Sequence, residues 1–434
     1  MAARETALTA LIACRKQGAW SDGVMKQYIA RDSLDSREAA LASRLCYGVL
    51  QNQMLLDHYV AAFLNSPIKK LHPIVLDILR LGVYQLTMMD KIPASAAVNE
   101  SVELAKKHAN PGAAKLVNGV LRAVTRAEEL AEPKSLSVRF SHPEELVKLL
   151  ATAVPEEQLP ALLAADNEAP RTSVQINPLK TTLQQAMDAL NALGAQTEVH
   201  PWLDDCFYLS GAGNLEKLEL FQTGAVYVQD AAAKLAALAA DLKPGMHVLD
   251  CCSAPGGKSF AAGMQMKNEG SIISCDIHPH KIKLIQAGAD RLGLTCIAPE
   301  VQDASGRREE WNGKMDAVIA DVPCSGLGVI RKKPDIRYKD LAPLARLPEV
   351  QMAILRNQAD YVRPGGVLVY STCTILPREN EQVVARFLEE RKDYTLEPVP
   401  VPAGLSAENS GMLTLYPHLH DTDGFFICRM RRIV

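Results

Sequence analysis

Two cysteines lie at positions where they could take part in a reaction at a carbon atom. Cys324 lies in residues 321–326 and Cys373 in residues 371–374, and each stretch directly follows an apolar run that predicts a buried strand. A thiolate that adds to C6 of a cytosine makes C5 able to attack a methyl sulfonium. A base must then remove the C5 proton so that the thiolate can leave, while a nearby carboxylate stabilises a ring protonated at N3. Two thiols beside the cytosine ring meet both needs, one as the nucleophile and the other in release of the product.

The alternative for these cysteines is an inert role in the core. Buried cysteines behave as small apolar residues, and for either one alone this is the simpler interpretation. The pair is harder to explain in this way, because Cys324 and Cys373 follow consecutive predicted strands and a nucleoside-type loop lies earlier in the chain. We therefore expect both thiols at one functional edge.

The nucleoside-type loop is formed by residues 250–258, an acidic strand end followed by a turn of small residues and a helix start. Gly256 and Gly257 let backbone N–H groups approach a ligand, and the helix N-terminus favours negative charge. A P-loop would need glycine where Cys252 stands, and the G-x-G-x-x-G dinucleotide fingerprint is absent. An ordinary strand-to-helix turn and a loop that binds S-adenosylmethionine remain as interpretations.

The residue order of this loop resembles the D-x-C-(S/A)-A-P-G-G-K signature of the RNA cytosine-5 methyltransferase family: Asp250-Cys251-Cys252-Ser253-Ala254-Pro255-Gly256-Gly257-Lys258. The stretches around Cys324 and Cys373 resemble that family's P-C-S-G and T-C-T boxes, whereas an amine methyltransferase would carry a D/N-P-P-Y/F box. The resemblance implies S-adenosylmethionine as cofactor, Cys373 as nucleophile and Cys324 as the residue that assists adduct breakdown. The catalytic residues that it implies are Cys373, Cys324, Asp321 and Lys258. The cofactor-binding residues that we expect are Cys252, Ser253, Ala254, Pro255, Gly256, Gly257, Lys258, Asp276, Asp303 and Asp321.

From Asp230 onwards the pattern alternates between helix and strand. It predicts strands at 247–250, 271–275, 295–298, 315–320, 367–371 and 424–429, with helices between them. This arrangement is typical of an α/β, Rossmann-like methyltransferase core, in which a mainly parallel sheet is covered by helices on both faces. Asp250, Asp276, Asp303 and Asp321 follow strands, where such sheets bind ligands. Asp276 suits both ribose hydroxyls and Asp303 the adenine amino group, although any one aspartate is equally typical of a turn or helix cap.

Residues 1–140 are expected to form an all-α domain, because apolar residues recur every three or four positions and prolines separate the helices. Residues 79–86 and 92–106 resemble the NusB-type RNA-binding domain, which implies an RNA partner. Basic residues on these helices are typical either of solvated faces or, as a set, of an RNA-docking face; they are Arg4, Arg15, Lys16, Lys69, Lys70, Arg80, Lys106, Lys107, Arg122 and Arg126.

Residues 141–229 are expected to form a small mixed α/β linker subdomain for RNA recognition, and residues 230–434 the catalytic domain. Ser141 is a predicted helix N-cap. Asn177 belongs to an element that resembles the family's N-x-L-K, and a contact with RNA and a turn before proline are equally supported. The basic run 331–337 is expected to bind phosphates along the strand of a flipped-out nucleotide, with a solvated loop as the alternative.

The composition is typical of a globular protein, with 48% hydrophobic and 22% charged residues. No apolar stretch reaches the roughly 20 residues that span a bilayer, and the N-terminus does not have the pattern of a secretory signal. Ten cysteines without C-x-x-C spacing favour a cytoplasmic protein with reduced thiols and no metal site. The net charge is −3, but residues 1–140 hold 18 Lys and Arg against 13 Asp and Glu, which leaves this part basic.

The resemblance to NusB-fused members of the family extends over nearly the whole chain. It implies that a monomer transfers one methyl group from S-adenosylmethionine to C5 of a cytosine in 16S ribosomal RNA before subunit assembly hides the base. A transfer-RNA cytosine-5 methyltransferase and a non-catalytic RNA-binding assembly factor are the alternatives. The NusB-like domain disfavours the first, and the intact Cys373, Cys324 and Lys258 disfavour the second.

Overall fold

The chain folds into two units, and each unit combines two separate stretches of the sequence. A computed structural model describes residues 2–17, 20–405 and 409–434. One unit consists of Met1–Glu168 together with Ile330–Lys339, and the other of Ala169–Val329 together with Asp340–Val434. Among the described residues, no helix combines the length and the apolar character needed to cross a bilayer.

The first unit is helical, as its periodicity predicts. Caps and prolines set the helix boundaries: the Asp35 side chain accepts a hydrogen bond from the Glu38 N–H, and that of Asn110 accepts one from the Ala113 N–H. The helices are α1 (Ala2–Gln17), α2 (Ser21–Arg31), α3 (Ser36–Gln51), α4 (Gln53–Ala62), α5 (Pro73–Met88), α6 (Ala94–His108), α7 (Pro111–Arg126), α8 (Leu136–Arg139), α9 (Glu144–Leu150) and α10 (Leu159–Ala165).

Helix α5 lies at the centre of this unit and carries a buried acid. Asp77 accepts hydrogen bonds from Arg15 at 2.9 Å and from Arg80 at 3.1 Å, and Arg80 also binds Asp57 at 2.7 Å. A buried charge needs such partners, because removing an ion from water costs several kcal/mol. Two of the basic side chains expected on a docking face, those of Arg15 and Arg80, are thus committed to an internal network.

The prediction that Ser141 caps a helix is wrong. Ser141 is buried with a φ of 55°, and its hydroxyl accepts a hydrogen bond from the Leu55 N–H at 3.0 Å. Helix α9 begins three residues later at Glu144, with Pro143 at the N-cap position. The serine hydroxyl therefore satisfies a donor in the first turn of α4 instead of one in the helix that follows it.

The prediction for the basic run 331–337 is also wrong for its two arginines. Residues Ile330–Lys339 belong to the first unit, where Arg337 is buried and donates to the carbonyl groups of Gln51 and Asp166 at 2.5 and 2.6 Å. Asp335 accepts from the Ser21 hydroxyl at 2.6 Å, and Arg331 is buried as well. Of the basic residues in the run, Lys332 and Lys333 are the exposed ones, so the cluster is mainly a packing element.

The second unit begins with a four-stranded antiparallel sheet in the order β2-β3-β1-β4. Thr182 caps its longer helix through a capping box with Gln185. This combination of strands and helices agrees with the small mixed α/β subdomain that was expected within residues 141–229. The elements are β1 (Thr172–Ile176), α11 (Leu183–Ala192), β2 (Gln196–Val199), β3 (Cys206–Ser210), α12 (Glu219–Gln222) and β4 (Val226–Val228).

The rest of the second unit is an eight-stranded sheet with helices on both faces. Strands β5 to β9 are parallel in the order β9-β8-β5-β6-β7, and β12 pairs antiparallel with β9, β10 and β11. The elements are α13 (Ala231–Leu238), β5 (His247–Asp250), α14 (Gly257–Gln265), β6 (Ser271–Asp276), α15 (Pro279–Leu292), β7 (Ile297–Val301), β8 (Met315–Asp321), α16 (Leu347–Tyr361), β9 (Val362–Thr372), α17 (Glu381–Glu390), β10 (Tyr394–Leu396), β11 (Met412–Leu415), α18 (Pro417–His420) and β12 (Phe425–Arg432).

Alternate residues of the parallel strands pack into separate cores on the two faces of the sheet. On β5, Val248 belongs to a core that includes Leu235 of α13. Its neighbour Leu249 belongs to a second core that includes Leu355 of α16. Two covered faces leave the strand ends as the place where polar side chains can meet a ligand. The predicted α/β fold with an all-α N-terminal part is confirmed, while strands β10 and β11 were not predicted.

Candidate active site

The carboxyl ends of β5, β6 and β8 bring three aspartates to one edge of the sheet. Asp250, Asp276 and Asp321 are the last residues of these strands. A cavity of about 560 Å³ opens at this edge, a volume in the range of ligand pockets. Its lining includes these predicted site residues: Cys252, Ala254, Asp276, Asp303, Asp321, Cys324 and Cys373.

The loop after β5 is shaped by close packing. The Ser253 N–H and hydroxyl both donate to the carbonyl oxygen of Cys275, at 2.8 and 3.1 Å. Gly256 has a φ of 113°, and a Cβ at this position would lie 2.3 Å from the Phe260 ring. Lys258, a predicted cofactor-binding residue in the first turn of α14, is not part of the described cavity lining. The same holds for four other residues of the predicted set, Ser253, Pro255, Gly256 and Gly257. They form the turn behind it.

Asp250 is buried below the loop and does not line the cavity with the other aspartates. It accepts a hydrogen bond from the Ser259 hydroxyl at 2.7 Å, and the Ser274 hydroxyl donates to Ser259 at 2.6 Å. Burial raises the pKa of Asp250 to about 7. Its position at the strand end was predicted correctly, but its role is to hold the first turn of α14 against β5 and β6.

Asp276 and Asp303 are oriented in the same way. Each carboxylate accepts a hydrogen bond at 2.9 Å from the backbone N–H two residues further on, that of His278 and that of Ser305. Such turns fix the direction of a short acidic side chain. Both carboxylates therefore face the cavity in a defined orientation, as acceptors for hydroxyl or amino groups.

The two predicted reactive thiols meet at the other end of the cavity. The Sγ atoms of Cys324 and Cys373 are 3.2 Å apart, within hydrogen-bond distance for sulfur. The hydrogen bond with Cys373, together with burial, raises the pKa of Cys324 well above its usual value. Cys324 is therefore held as a neutral thiol that can share its proton with its neighbour.

Lys258 and Asp321 form an ion pair beside the thiols. The Nζ atom lies 2.7 Å from one carboxylate oxygen, and the Ser371 hydroxyl donates to the other at 2.8 Å. Burial alone would lower the pKa of Lys258, but the charge of Asp321 outweighs it and the pKa is raised. The lysine is thus a permanent positive charge at this edge.

Three buried polar residues beneath the thiols were missed by the sequence analysis. Glu379 and Asn380 precede α17, and Gln351 lies on α16. Glu379 accepts from the Ser325 N–H and from Gln351 Nε2, both at 2.9 Å. Asn380 donates to the Thr374 carbonyl oxygen at 2.9 Å. The neighbours of Glu379 and Asn380 are Arg378 and Glu381, so the local sequence is polar and gives no signal that the pair is buried.

Of the two interpretations given for Asn177, an RNA contact and a turn before proline, the structure supports the turn. The Asn177 side chain is buried and donates to the carbonyl oxygens of Gly224 and Leu292, at 3.1 and 2.9 Å, while its oxygen accepts from the Leu179 N–H. The asparagine is a turn residue that ties the small sheet to α15.

The expected docking face of the helical unit is smaller than the sequence indicated. Arg4 and Arg80 are buried, and Arg4 donates to Gln85 at 2.6 Å. Arg15 binds Asp77, and Lys106 and Lys107 lie 2.6 Å from acidic partners. The exposed basic residues of the predicted set are Arg15, Lys16, Lys69, Lys70, Lys106, Lys107, Arg122 and Arg126, and three of them, Arg15, Lys106 and Lys107, are paired with acidic side chains.

This sheet order, together with the small-residue turn and the acidic strand ends beside one cavity, defines a Rossmann-like methyltransferase. Three family models match successive parts of the chain: the NusB family over residues 1–126, the ferredoxin-like domain of RsmF/B-like methyltransferases over 142–216, and the 16S rRNA methyltransferases RsmB/F over 237–431.

Similarity to individual proteins extends over nearly the full length. The chain is 40% identical to the probable ribosomal RNA small subunit methyltransferase B of Bacillus subtilis, over 99% of this chain and 98% of that protein. The chain therefore belongs to the RsmB/F family of ribosomal RNA methyltransferases. Its fold resembles the crystal structure of PH0851, with a TM-score of 0.81 and 22% identity over 98% of both chains. It also resembles that of NSun6 from Pyrococcus horikoshii with SFG, with a TM-score of 0.59 and 20% identity over 67% of this chain and 98% of that one.

Proposed function

We propose that the protein transfers a methyl group from S-adenosylmethionine to C5 of a cytosine in 16S ribosomal RNA through a covalent bond between Cys373 and C6. The observation that carries this proposal is the approach of two thiols, Cys324 and Cys373, to 3.2 Å at the edge of the cavity. The match to the RsmB/F model supports the ribosomal substrate.

The residues at the cavity fit the cofactor. The carboxylates of Asp276 and Asp303 suit the ribose hydroxyls and the adenine amino group. The tight turn at Gly256, which a Cβ would fill, keeps the backbone of the loop close to α14 and leaves Cys252 and Ala254 facing the cavity. NSun6 from Pyrococcus horikoshii, whose fold this chain resembles, was solved with SFG, an analogue of S-adenosylmethionine, which supports the proposed cofactor. When bound, S-adenosylmethionine supplies an electrophilic methyl group on its sulfonium.

Cys373 acts as the nucleophile. Its sulfur adds to C6 of the cytosine, and the electrons of the C5–C6 double bond move to C5, which takes the methyl group. Asp321 stabilises the ring through protonated N3, and Lys258 holds Asp321 in place at 2.7 Å. After the transfer, loss of the C5 proton restores the double bond, and the Cys373–C6 bond breaks to release the thiolate.

Cys324 assists this release. Its raised pKa keeps it protonated when the site is empty. Bonding of Cys373 to C6 removes the thiol–thiol hydrogen bond that is the main cause of this rise, so Cys324 can then lose its own proton to solvent and, as a thiolate, take the proton from C5. A thiol 3.2 Å from the attacking sulfur is also close to C5 of an attached ring. Removing Cys324 should therefore leave the first half of the reaction intact and block the second.

RNA binding is assigned to the remaining parts of the chain. We infer that residues 1–140 form the RNA-binding domain, 141–229 a recognition subdomain and 230–434 the catalytic domain of a cytoplasmic monomer that needs no metal. Two stretches within these bounds, 141–168 and Ile330–Lys339, fold with the helical unit. One face of α7 supports this inference, since Lys115, Arg122 and Arg126 recur at helical spacing and are exposed. Salt-sensitive binding through phosphate contacts is the expected behaviour.

The test follows methyl transfer to purified RNA and the covalent complex that precedes release. The wild-type protein should label protein-free 16S RNA and not transfer RNA, and bisulfite sequencing should locate one 5-methylcytosine. Cys324→Ala should accumulate a protein–RNA adduct that survives denaturant. Labelling of transfer RNA alone would favour the transfer-RNA enzyme, and absence of both labelling and adduct would favour a non-catalytic assembly factor.

A further inference from the structure

Both thiol-bearing loops rest on one buried polar segment. The loop that carries Cys324 continues into Ser325, and the loop that carries Cys373 continues into Thr374; the hydroxyl groups of Ser325 and Thr374 are hydrogen-bonded at 2.8 Å. Glu379 and Asn380, consecutive residues before α17, lie beneath these loops and are fully buried. Glu379 is hydrogen-bonded to the Cys324 loop and Asn380 to the Cys373 loop.

Glu379 holds the Cys324 loop from two sides. One of its carboxylate oxygens, Oε2, accepts the Ser325 N–H at 2.9 Å and Gln351 Nε2 at 2.9 Å. The same Gln351 nitrogen donates to the Pro323 carbonyl oxygen at 3.0 Å. Cys324 thus lies between two residues whose backbone atoms are fixed through Glu379 and Gln351.

Asn380 holds the Cys373 loop in a matching way. Its amide nitrogen donates to the Thr374 carbonyl oxygen at 2.9 Å, and its oxygen accepts from the Thr372 hydroxyl at 2.6 Å. These residues flank Cys373 on both sides. The separation of the two thiols is therefore set by two neighbouring side chains of a single turn.

The burial of Glu379 costs free energy, and a role in the site would explain why the residue is there. Its second oxygen, Oε1, is buried and accepts no hydrogen bond within the described part of the chain. A buried carboxylate with an unused oxygen costs more free energy than a neutral residue, and such groups concentrate at functional sites. The two donors that converge on Oε2 both belong to the support of the Cys324 loop.

We propose that Glu379 is a positioning residue that places Cys324 for release of the covalent adduct, through the two hydrogen bonds accepted by Oε2. This inference rests on the proposed function, because it concerns the second half of that reaction. Asn380 supports the nucleophile instead, so Glu379 affects release and leaves adduct formation largely intact. A displacement of about 1 Å is sufficient for a hundredfold effect on a step that depends on alignment.

The test compares Glu379→Ala with Glu379→Gln in the full-length protein. The alanine variant should lower steady-state turnover about 100-fold, lower single-turnover methyl transfer by less than about 10-fold, and accumulate the denaturant-resistant adduct. The glutamine variant should stay close to wild type. Its carbonyl oxygen can accept both hydrogen bonds, while its nitrogen occupies the place of the unused Oε1.

The matched control is Glu381→Ala, two residues further along the chain at the first position of α17. Glu381 is partly buried and accepts a hydrogen bond from Thr414 at 3.2 Å, away from both thiol loops. It should leave the fraction of adduct unchanged. Gln351→Ala removes one of the two donors and the contact with Pro323, so it should accumulate adduct as Glu379→Ala does, even if the latter fails to fold.

Three results would overturn the inference. The first is a wild-type fraction of adduct in both Glu379→Ala and Gln351→Ala. The second is an equal loss of steady-state turnover in Glu379→Gln and Glu379→Ala. The third is a proportional fall of single-turnover and steady-state rates, which would indicate a purely structural role. Each counts against Glu379 only while Cys324→Ala still traps the adduct. If Cys324→Ala traps none, the proposed function itself has failed.

Discussion

Two ion pairs of similar geometry, each at least partly buried, occur in the two units and have different surroundings. In the helical unit, Arg80 binds Asp57 at 2.7 Å and Asp77 at 3.1 Å. In the other unit, Lys258 binds Asp321 at 2.7 Å. The arginine pair is enclosed by helices, and Arg15 provides a further partner. In the lysine pair, Asp321 lines the cavity together with the two thiols. The same interaction is expected to stabilise the fold in one place and to serve chemistry in the other.

The largest expected effect is on the thiol side of this comparison. Cys373→Ala removes the nucleophile, so turnover should fall on the order of 10⁴-fold or more, with no covalent complex. Radiolabelled methyl transfer and a denaturing gel measure both. Cys14→Ala is the matched control, because Cys14 is a half-buried thiol of the helical unit, where burial raises its pKa to about 11. Full activity in Cys373→Ala would refute the covalent mechanism.

The residues of this edge show how far the sequence alone could lead. The ligand loop, the acidic strand ends and both reactive cysteines are local patterns, and the structure brings Cys324 and Cys373 together although 49 positions separate them. Glu379 and Gln351 could not be found from local patterns in this way. Nothing in their local sequence indicates that they share a hydrogen bond, because that depends on how α16 and the turn before α17 pack.

The errors have a similar cause. Residue type predicts a phosphate contact for Arg337 and allows an RNA contact for Arg80 and Asn177, but each is buried among backbone carbonyls or acids. A polar residue in a single sequence has the same appearance whether it faces solvent or closes a gap in the core. Tertiary packing decides between the two, and for these residues it decided for the core.

The second expected effect is on stability. Arg80→Ala should lower the free energy of unfolding of the helical unit by about 3–5 kcal/mol, because it leaves Asp77 and Asp57 without their main partner. Activity per folded molecule should be unchanged. Chemical denaturation followed by circular dichroism measures the loss. Arg122→Ala, an exposed arginine that bonds to Asn118, should change it by less than about 0.5 kcal/mol. A fall in activity at full stability would erase the distinction between the two pairs.

The smallest expected effect concerns Asp276, whose carboxylate belongs both to an ion pair and to the cavity lining. Asp276 is 3.4 Å from Lys281 and also lines the cavity. Asp276→Asn should raise KM for S-adenosylmethionine about 10-fold, equivalent to about 1.4 kcal/mol, with little change in kcat. Asp290→Asn, an exposed position on α15, is the control. An unchanged KM combined with a lower melting temperature would place Asp276 with the structural pairs.

The segment Ile330–Lys339 has a consequence for the connectivity of the molecule. Because it folds with the helical unit, the chain passes between the two units three times, at 168–169, 329–330 and 339–340. A fragment that starts at Ala169 would retain Ile336 and Arg337 but lack the helices that bury them. The catalytic half is therefore not a detachable module: an independent version would need this segment replaced by a short polar loop as well as a new N-terminus.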